Sequence, residues 1–310
     1  MEAGTQEEGR AAGLRLRLPR VSPGTFRWLC GAALAAIVLV TISGATVRLT
    51  GSGLGCENWP RCGDTFLPPK SFNSLVEFSN RGVGVAVGLT TVVTALASFL
   101  VSGLPRRLFV GALALPLTVL AQGVLGGITV LTDLHPLIVM GHFLLSVAAI
   151  ALGIVVVLGA HWFATAAPER IAPRWLARLA VGLVPLLLAL VVTGAFVTAA
   201  GPHSGGEGIE RFGDLETAAY VHVRVTAAFG LAFLLLAGAL FRSRALLRTE
   251  ALVTGATLAV LVGQMVVGEV QWRNQLLPWW LVLVHVTLAT AVFCGLTLVA
   301  ARLVLRARPA

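Results

Sequence analysis

Leu137-Ile-Val-Met-Gly-His-Phe-Leu-Leu-Ser-Val-Ala-Ala-Ile-Ala-Leu-Gly-Ile-Val-Val-Val-Leu-Gly-Ala160 decides the architecture. It carries no Asp, Glu, Lys or Arg, and about 20 apolar residues are enough for a helix to cross the hydrocarbon layer of a bilayer. Seven other stretches share this character, at roughly 28–47, 75–101, 108–130, 179–199, 217–240, 250–270 and 277–300. With 57% apolar and 12% charged residues, the 310-residue chain lies outside the range of soluble globular domains. The expected fold is an all-α polytopic membrane protein with eight transmembrane helices.

The formal charge of +9 comes from 22 arginines and the single Lys70, and its distribution argues against nucleic acid as a partner. The amino end, Arg106/Arg107, Arg170/Arg174/Arg178, Arg242/Arg244/Arg248 and Arg302/Arg306/Arg308 hold 16 of the 23 basic residues, in alternate loops. Basic residues stay on the cytoplasmic side of membrane spans, so these five segments are expected inside, with both termini cytoplasmic in a cell membrane. The basic start runs into an apolar stretch of full span length, which reads as a retained anchor rather than a cleaved signal. Outside lie 48–74, a short turn at Thr132–Pro136, the Gly-rich 200–216 and the Gln271–Gln275 turn. Trp28, Trp162, Trp175, Trp272, Trp279 and Trp280 fall at the expected interfaces.

Two four-span halves are visible as an internal repeat. Gln122-Gly-Val-Leu-Gly-Gly in span 3 matches Gln264-Met-Val-Val-Gly-Glu in span 7, and each is followed by a histidine, His142 after 20 residues and His285 after 21. Ser43-Gly-Ala closes span 1 as Thr193-Gly-Ala closes span 5. An even number of spans per half makes this a parallel repeat about the membrane normal. The expected organisation is a tail at 1–27, a first half at 28–160, a linker at 161–178, a second half at 179–300 and a tail at 301–310. Pro116 and Pro185 are candidate kinks in their spans.

Polar groups within hydrocarbon are costly and mark functional candidates. His222 and His285 are separated by 63 residues, and Asn80 and His142, at the corresponding places of the first half, by 62. All four fall in the outer third to half of the bilayer. Two helices of each half thus present a coordinating group at similar depth, as a bundle does when it clamps a haem plane; packing residues are the plainer alternative. Zinc fits less well, because no short-spaced His/Cys/carboxylate cluster occurs within the spans. Glu77 precedes Asn80 by three residues on one helix face and is a candidate proton-transfer or charge-stabilising carboxylate, or else an interfacial partner of Arg81. Glu269 can pair with Arg273. Arg224 can meet a haem propionate, or pair with Glu216 or Asp214. His135, His161 and His203 read as solvated or interfacial.

Cys30 and Cys294 lie in or beside apolar runs and read as packed thiols. Cys56 and Cys62 sit in the first outer loop, where a disulfide is permitted; a structural staple and a redox-active pair are both open.

The string Arg48-Leu-Thr-Gly-Ser-Gly-Leu-Gly-Cys-Glu-Asn-Trp-Pro-Arg-Cys62, Glu77-x-x-Asn-Arg81 at the start of span 2, and single histidines in spans 4, 6 and 8 resemble the haem A synthases. The resemblance runs from span 1 to span 8. It implies an oxidoreductase that converts the C8 methyl group of haem O to the formyl group of haem A for terminal oxidases. It further implies a haem B cofactor on His222 and His285, substrate haem O on His142, Glu77 as the catalytic carboxylate and Cys56–Cys62 as a disulfide. Many members of that family carry His where this chain has Asn80, so the first-half iron is expected to be held by His142 alone or with a weak sixth partner. A haem O synthase and a membrane electron donor are the partners this implies, with self-association left open. The rival is a dihaem b-type cytochrome that only transfers electrons.

Overall fold

The computed structural model describes residues 20–56, 58–64, 66–166, 172–203, 205–206, 208–244, 247–274 and 277–305. Eight helices account for most of these: α1 (Pro23–Leu49), α2 (Phe72–Phe99), α3 (Arg106–Leu131), α4 (Pro136–Thr165), α5 (Arg174–Ala200), α6 (Leu215–Arg242), α7 (Arg248–Arg273) and α8 (Trp279–Leu305). Each is long and apolar enough to cross a membrane, and the chain is a multi-pass membrane protein. Every expected span is found, with ends displaced by a few residues. Arg10, Arg15, Arg17, Arg170, Gln275, Arg306 and Arg308 lie outside the described residues, as do much of the 1–27 tail, part of the 161–178 linker and most of the 301–310 tail.

The displaced ends have local causes. Ser22 accepts from the Thr25 N–H with Pro23 in the first turn of α1, and Ser71 accepts likewise from Ser74 at the start of α2. These are N-cap arrangements that satisfy otherwise unpaired first-turn amides, so the helices begin in polar sequence ahead of the apolar run. Asp214 caps α6, and the Thr217 N–H holds its carboxyl below the usual carboxylate range. Pro116 and Pro185 lie inside α3 and α5 without ending them.

α1, α2, α3 and α4 each pack on the next, and α4 returns to α1; α5 to α8 form a second such circuit. In the second circuit α5 lies closest to α6 and α7 to α8, while the two pairs touch each other less. The circuits meet where α1 and α4 contact α8, and α4 contacts α5.

Packing is uneven along the helix axes. At the arginine-rich end, Phe26, Leu115, Ile150, Leu176, Leu183, Phe229, Phe233, Leu236, Leu296 and Leu303 are fully buried in one continuous core. Glu250 on α7 and Arg302 on α8 form a buried ion pair at that end. Toward the opposite end, α2 buries no residue between 78 and 86, α4 none between 137 and 146, α6 none between 215 and 228, and α8 none between 282 and 289.

At this loosely packed end the loops are tied together. The Gly53 N–H donates to the Gly205 carbonyl, joining the α1–α2 and α5–α6 connections, and His203 Nε2 lies 2.6 Å from the Leu277 carbonyl. His203 is half-buried and bonded to backbone, in keeping with the interfacial side of its reading. His135 is exposed as expected.

Candidate functional site

The four residues singled out as ligand candidates lie one in each of these stretches, while α3 between 116 and 126 and α7 between 265 and 273 likewise bury no residue. Asn80 lies within 78–86, His142 within 137–146, His222 within 215–228 and His285 within 282–289.

Each imidazole rests on a glycine of the neighbouring helix. A Cβ added to Gly126 on α3 would stand 3.2 Å from His142 Cε1, one on Gly268 of α7 3.2 Å from His285 Cε1, and one on Gly194 of α5 3.1 Å from His222 Cε1. A missing side chain lets the ring lie flat against a helix backbone. On α3 and α7 the glycine follows a glutamine by four residues, one turn further along the same face. Gln122 donates from Nε2 to the His142 carbonyl at 3.2 Å and to Ser146 Oγ at 2.6 Å. Gln264 Nε2 lies 3.0 Å from His285 Nε2. The repeat motif thus consists of a glutamine contact and a glycine platform, roles the sequence displayed only as a pattern.

On α1 and α5 the partner is a hydroxyl. Ser43 Oγ donates to Asn80 Oδ1 at 2.8 Å, and Thr193 Oγ1 lies 3.0 Å from His222 Nδ1. Thr193 already directs its proton to the Ala189 and Leu190 carbonyls, so it accepts from the Nδ1–H and leaves the Nε2 lone pair of His222 uncommitted. His142 and His285 each keep a buried Nδ1 with no partner. Beside Gly44 on α1 there is nothing within 4 Å, so the place that the His222 ring fills next to Gly194 is open next to Asn80.

Among the described residues no three His, Cys, Asp or Glu side chains gather around one point. A metal placed here would have to bring further donors of its own, as the iron of a porphyrin does, with the ring nitrogens of His222 and His285 available to hold it. The residues present fit such a group.

Glu77 is buried, unlike its neighbours on α2. Its Oε2 accepts from the Cys56 N–H at 2.7 Å, and its Oε1 accepts from Arg81 Nη2 at 2.6 Å and Nε at 3.2 Å. Arg81 in turn donates to the carbonyls of Cys56, Asn58, Pro60 and Arg61. The loop so gathered is closed by the Cys56–Cys62 disulfide, with both sulfurs buried. Gly55 lets this loop approach α2, since a Cβ there would strike the Asn73–Ser74 backbone. From the same loop Trp59 packs on Gly127, adjacent to the glycine under His142. Glu77, the disulfide and the His142 site are therefore contiguous.

Several side chains lie outside this set. Arg224 is exposed, stacks on Tyr220 at 3.0 Å and bonds the Tyr220 carbonyl, so neither Glu216 nor Asp214 is its partner. Glu269 pairs with Arg273 as read from their spacing. Cys30 and Cys294 are free thiols. A cleft of about 510 Å³ opens between α1 and α2, with Ser43 in its wall beside exposed Leu39 and Phe72.

Eight spans, with imidazoles set on glycines at one end of the bundle, define a polytopic helical membrane protein. Residues 26–75 and 70–202 match the profile of the cytochrome oxidase assembly proteins, more than half of the chain, and the protein belongs to that family. The match takes in Cys56, Cys62, Glu77, Asn80 and His142 and stops before His222 and His285. Three relatives, each named heme A synthase, are similar. The one from Lysinibacillus sphaericus is 33% identical over 41% of this chain and 43% of its own. The one from Exiguobacterium sibiricum is 31% identical over 52% and 55%, and the one from Bacillus pumilus 28% identical over 52% and 54%. The chain spans about half the length of the curated relatives it matches.

Proposed function

We propose that this protein is a haem A synthase that oxidises the C8 methyl group of haem O to the formyl group of haem A. The observation that carries this reading is the setting of three imidazoles, each against a glycine of a neighbouring helix, and of Asn80 at the repeat-equivalent place, all in stretches of α2, α4, α6 and α8 that bury no side chain. In this reading His222 and His285 hold a haem B cofactor, which supplies electron transfer. His142 receives the iron of substrate haem O, with Asn80 a weak partner held by Ser43. The matching pairs Ser43/Asn80 and Thr193/His222, with Gln122/Gly126/His142 and Gln264/Gly268/His285, support two parallel four-helix halves at 28–160 and 179–300. The charge bias supports a plasma-membrane location with both termini cytoplasmic.

Turning a methyl into a formyl group removes four electrons and adds one oxygen atom, which is why a membrane electron partner belongs to the reading. Substrate reaches the first half from the lipid side through the α1–α2 cleft, supplied by a haem O synthase. Trp59 and the disulfide loop cover the site from above. Glu77, contiguous with that loop, is the carboxylate placed to stabilise charge or move a proton near the substrate.

One observation favours the rival dihaem electron carrier: both Glu77 oxygens are already engaged, by Cys56 and Arg81. Product analysis separates the two. The protein, produced with a haem O source, is examined by pyridine haemochrome spectra and chromatography of extracted pigment. Haem A appearing at the expense of haem O is the expected result; stable haem O with an unchanged haem B signal makes the protein an electron carrier.

A further inference from the structure

Arg48, at the loop end of α1, reaches away from its own bundle. Its Nη2 donates to the Thr198 carbonyl on the last turn of α5 at 2.6 Å, and its Nε is buried with no partner. Among the described residues it has no carboxylate, although each of the three ion pairs there joins an arginine to a glutamate. A guanidinium held by one neutral carbonyl is an uncompensated charge, and such charges inside proteins are as a rule paired.

Its height in the bundle says what would pair it. Arg48 lies five residues beyond Ser43, the partner of Asn80, and Thr198 lies five residues beyond Thr193, the partner of His222. At the helical rise of 1.5 Å per residue both stand about 7.5 Å further toward the loop end than the ligand level. A porphyrin held by His222 and His285 would carry both its carboxylates on one edge, and with that edge toward the loop end they would come to the height of Arg48. Resting on the proposed haem site, we infer that Arg48, a residue of the first half, binds a propionate carboxylate of the porphyrin in the second half. The free Nε and the remaining N–H groups offer the planar fork that suits a carboxylate.

The test compares iron protoporphyrin IX with its dimethyl ester, which has the same ring and iron and no carboxylate charge. Each is titrated into the purified full-length protein carrying His142→Ala, and low-spin bis-imidazole absorption is followed. The Arg48-bearing protein is expected to bind the free acid about tenfold more tightly than the ester, as a charge-assisted hydrogen bond implies. Arg48→Gln is expected to bind both forms at the ester's affinity, and Arg48→Lys to recover part of the difference. Equal affinity for the two forms with Arg48 present, or undiminished preference for the acid in Arg48→Gln, overturns the inference while leaving the haem site standing. If Arg48→Gln does not fold, the comparison of acid and ester on the Arg48-bearing protein decides alone. Failure of both forms to give a bis-imidazole spectrum overturns the haem site and the inference with it.

Discussion

At Thr193 the fate of one proton sets the state of His222. Because the hydroxyl spends its hydrogen on the α5 backbone, it accepts from the imidazole and raises the basicity of the opposite nitrogen. Thr193→Val keeps the shape and removes the acceptor. The expected outcome is a ten- to hundredfold loss of haem affinity, on the scale of such outer contacts, with a raised midpoint potential; Thr193→Ser restores both. An unchanged potential in the valine variant disproves the coupling. Asn80 offers the reverse experiment. Ser43 already stands where Thr193 stands, and the space beside Gly44 is open, so Asn80→His has both the partner and the room for a ring. Electron paramagnetic resonance of haem-loaded Asn80→His is expected to show a second low-spin bis-imidazole signal that the Asn80 protein lacks. If the spectrum stays the same, the first-half pocket is not built as the second is.

Helix α2 carries more than Asn80, because its first turns hold the disulfide loop in place. Arg81 gathers four carbonyls of that loop and neutralises Glu77, so Arg81→Met strips the loop of its keystone and leaves Glu77 buried with the Cys56 N–H. Breaking a buried ion pair costs about 3 to 5 kcal/mol, and the lower end applies because Arg81 is partly exposed. The expected result is faster modification of Cys56 and Cys62 by a thiol reagent under mild reduction, with helix content unchanged. Glu77→Gln is expected to retain haem and to stop formation of haem A; an undiminished yield of haem A removes Glu77 from the chemistry. The eight helices themselves were legible because a span announces itself by some 20 apolar residues in a row. The grip of Arg81 on carbonyls 20 to 25 residues away was not, since it depends on how an irregular loop folds back, which no periodicity records. For Arg224 the sequence left a propionate, Glu216 and Asp214 open, and the contact it makes, with the aromatic face of Tyr220 one turn away, is one that a search for opposite charges passes over.

Over the whole molecule, a dense end and a loose end share one set of helices. The repeat of Gln, Gly and His positions was readable as a pattern, yet its meaning required knowing which helix stretches are unburied, and side-chain burial is set by neighbours distant in sequence. This asymmetry has a thermodynamic consequence. The arginine-rich end is filled by interlocking side chains such as Phe229 and Phe233, stacked at 5.7 Å, and its stability does not depend on a ligand. Phe233→Ala is expected to cost about 3 to 5 kcal/mol with or without haem, as truncations of buried aromatics do. The loop end lacks such filling around its imidazoles, so a ligand bound there adds free energy in proportion to its occupancy. At a hundredfold excess over the dissociation constant, a single site contributes about 2.7 kcal/mol. Thermal unfolding in detergent, followed on the protein with and without added haem, is therefore expected to show a higher midpoint with haem. His222→Ala together with His285→Ala is expected to abolish most of that increment and to leave the haem-free midpoint nearly unchanged. Should the double variant instead lower the haem-free midpoint as far as Phe233→Ala does, the imidazoles belong to the packing of the bundle, and the loose end is not a binding region.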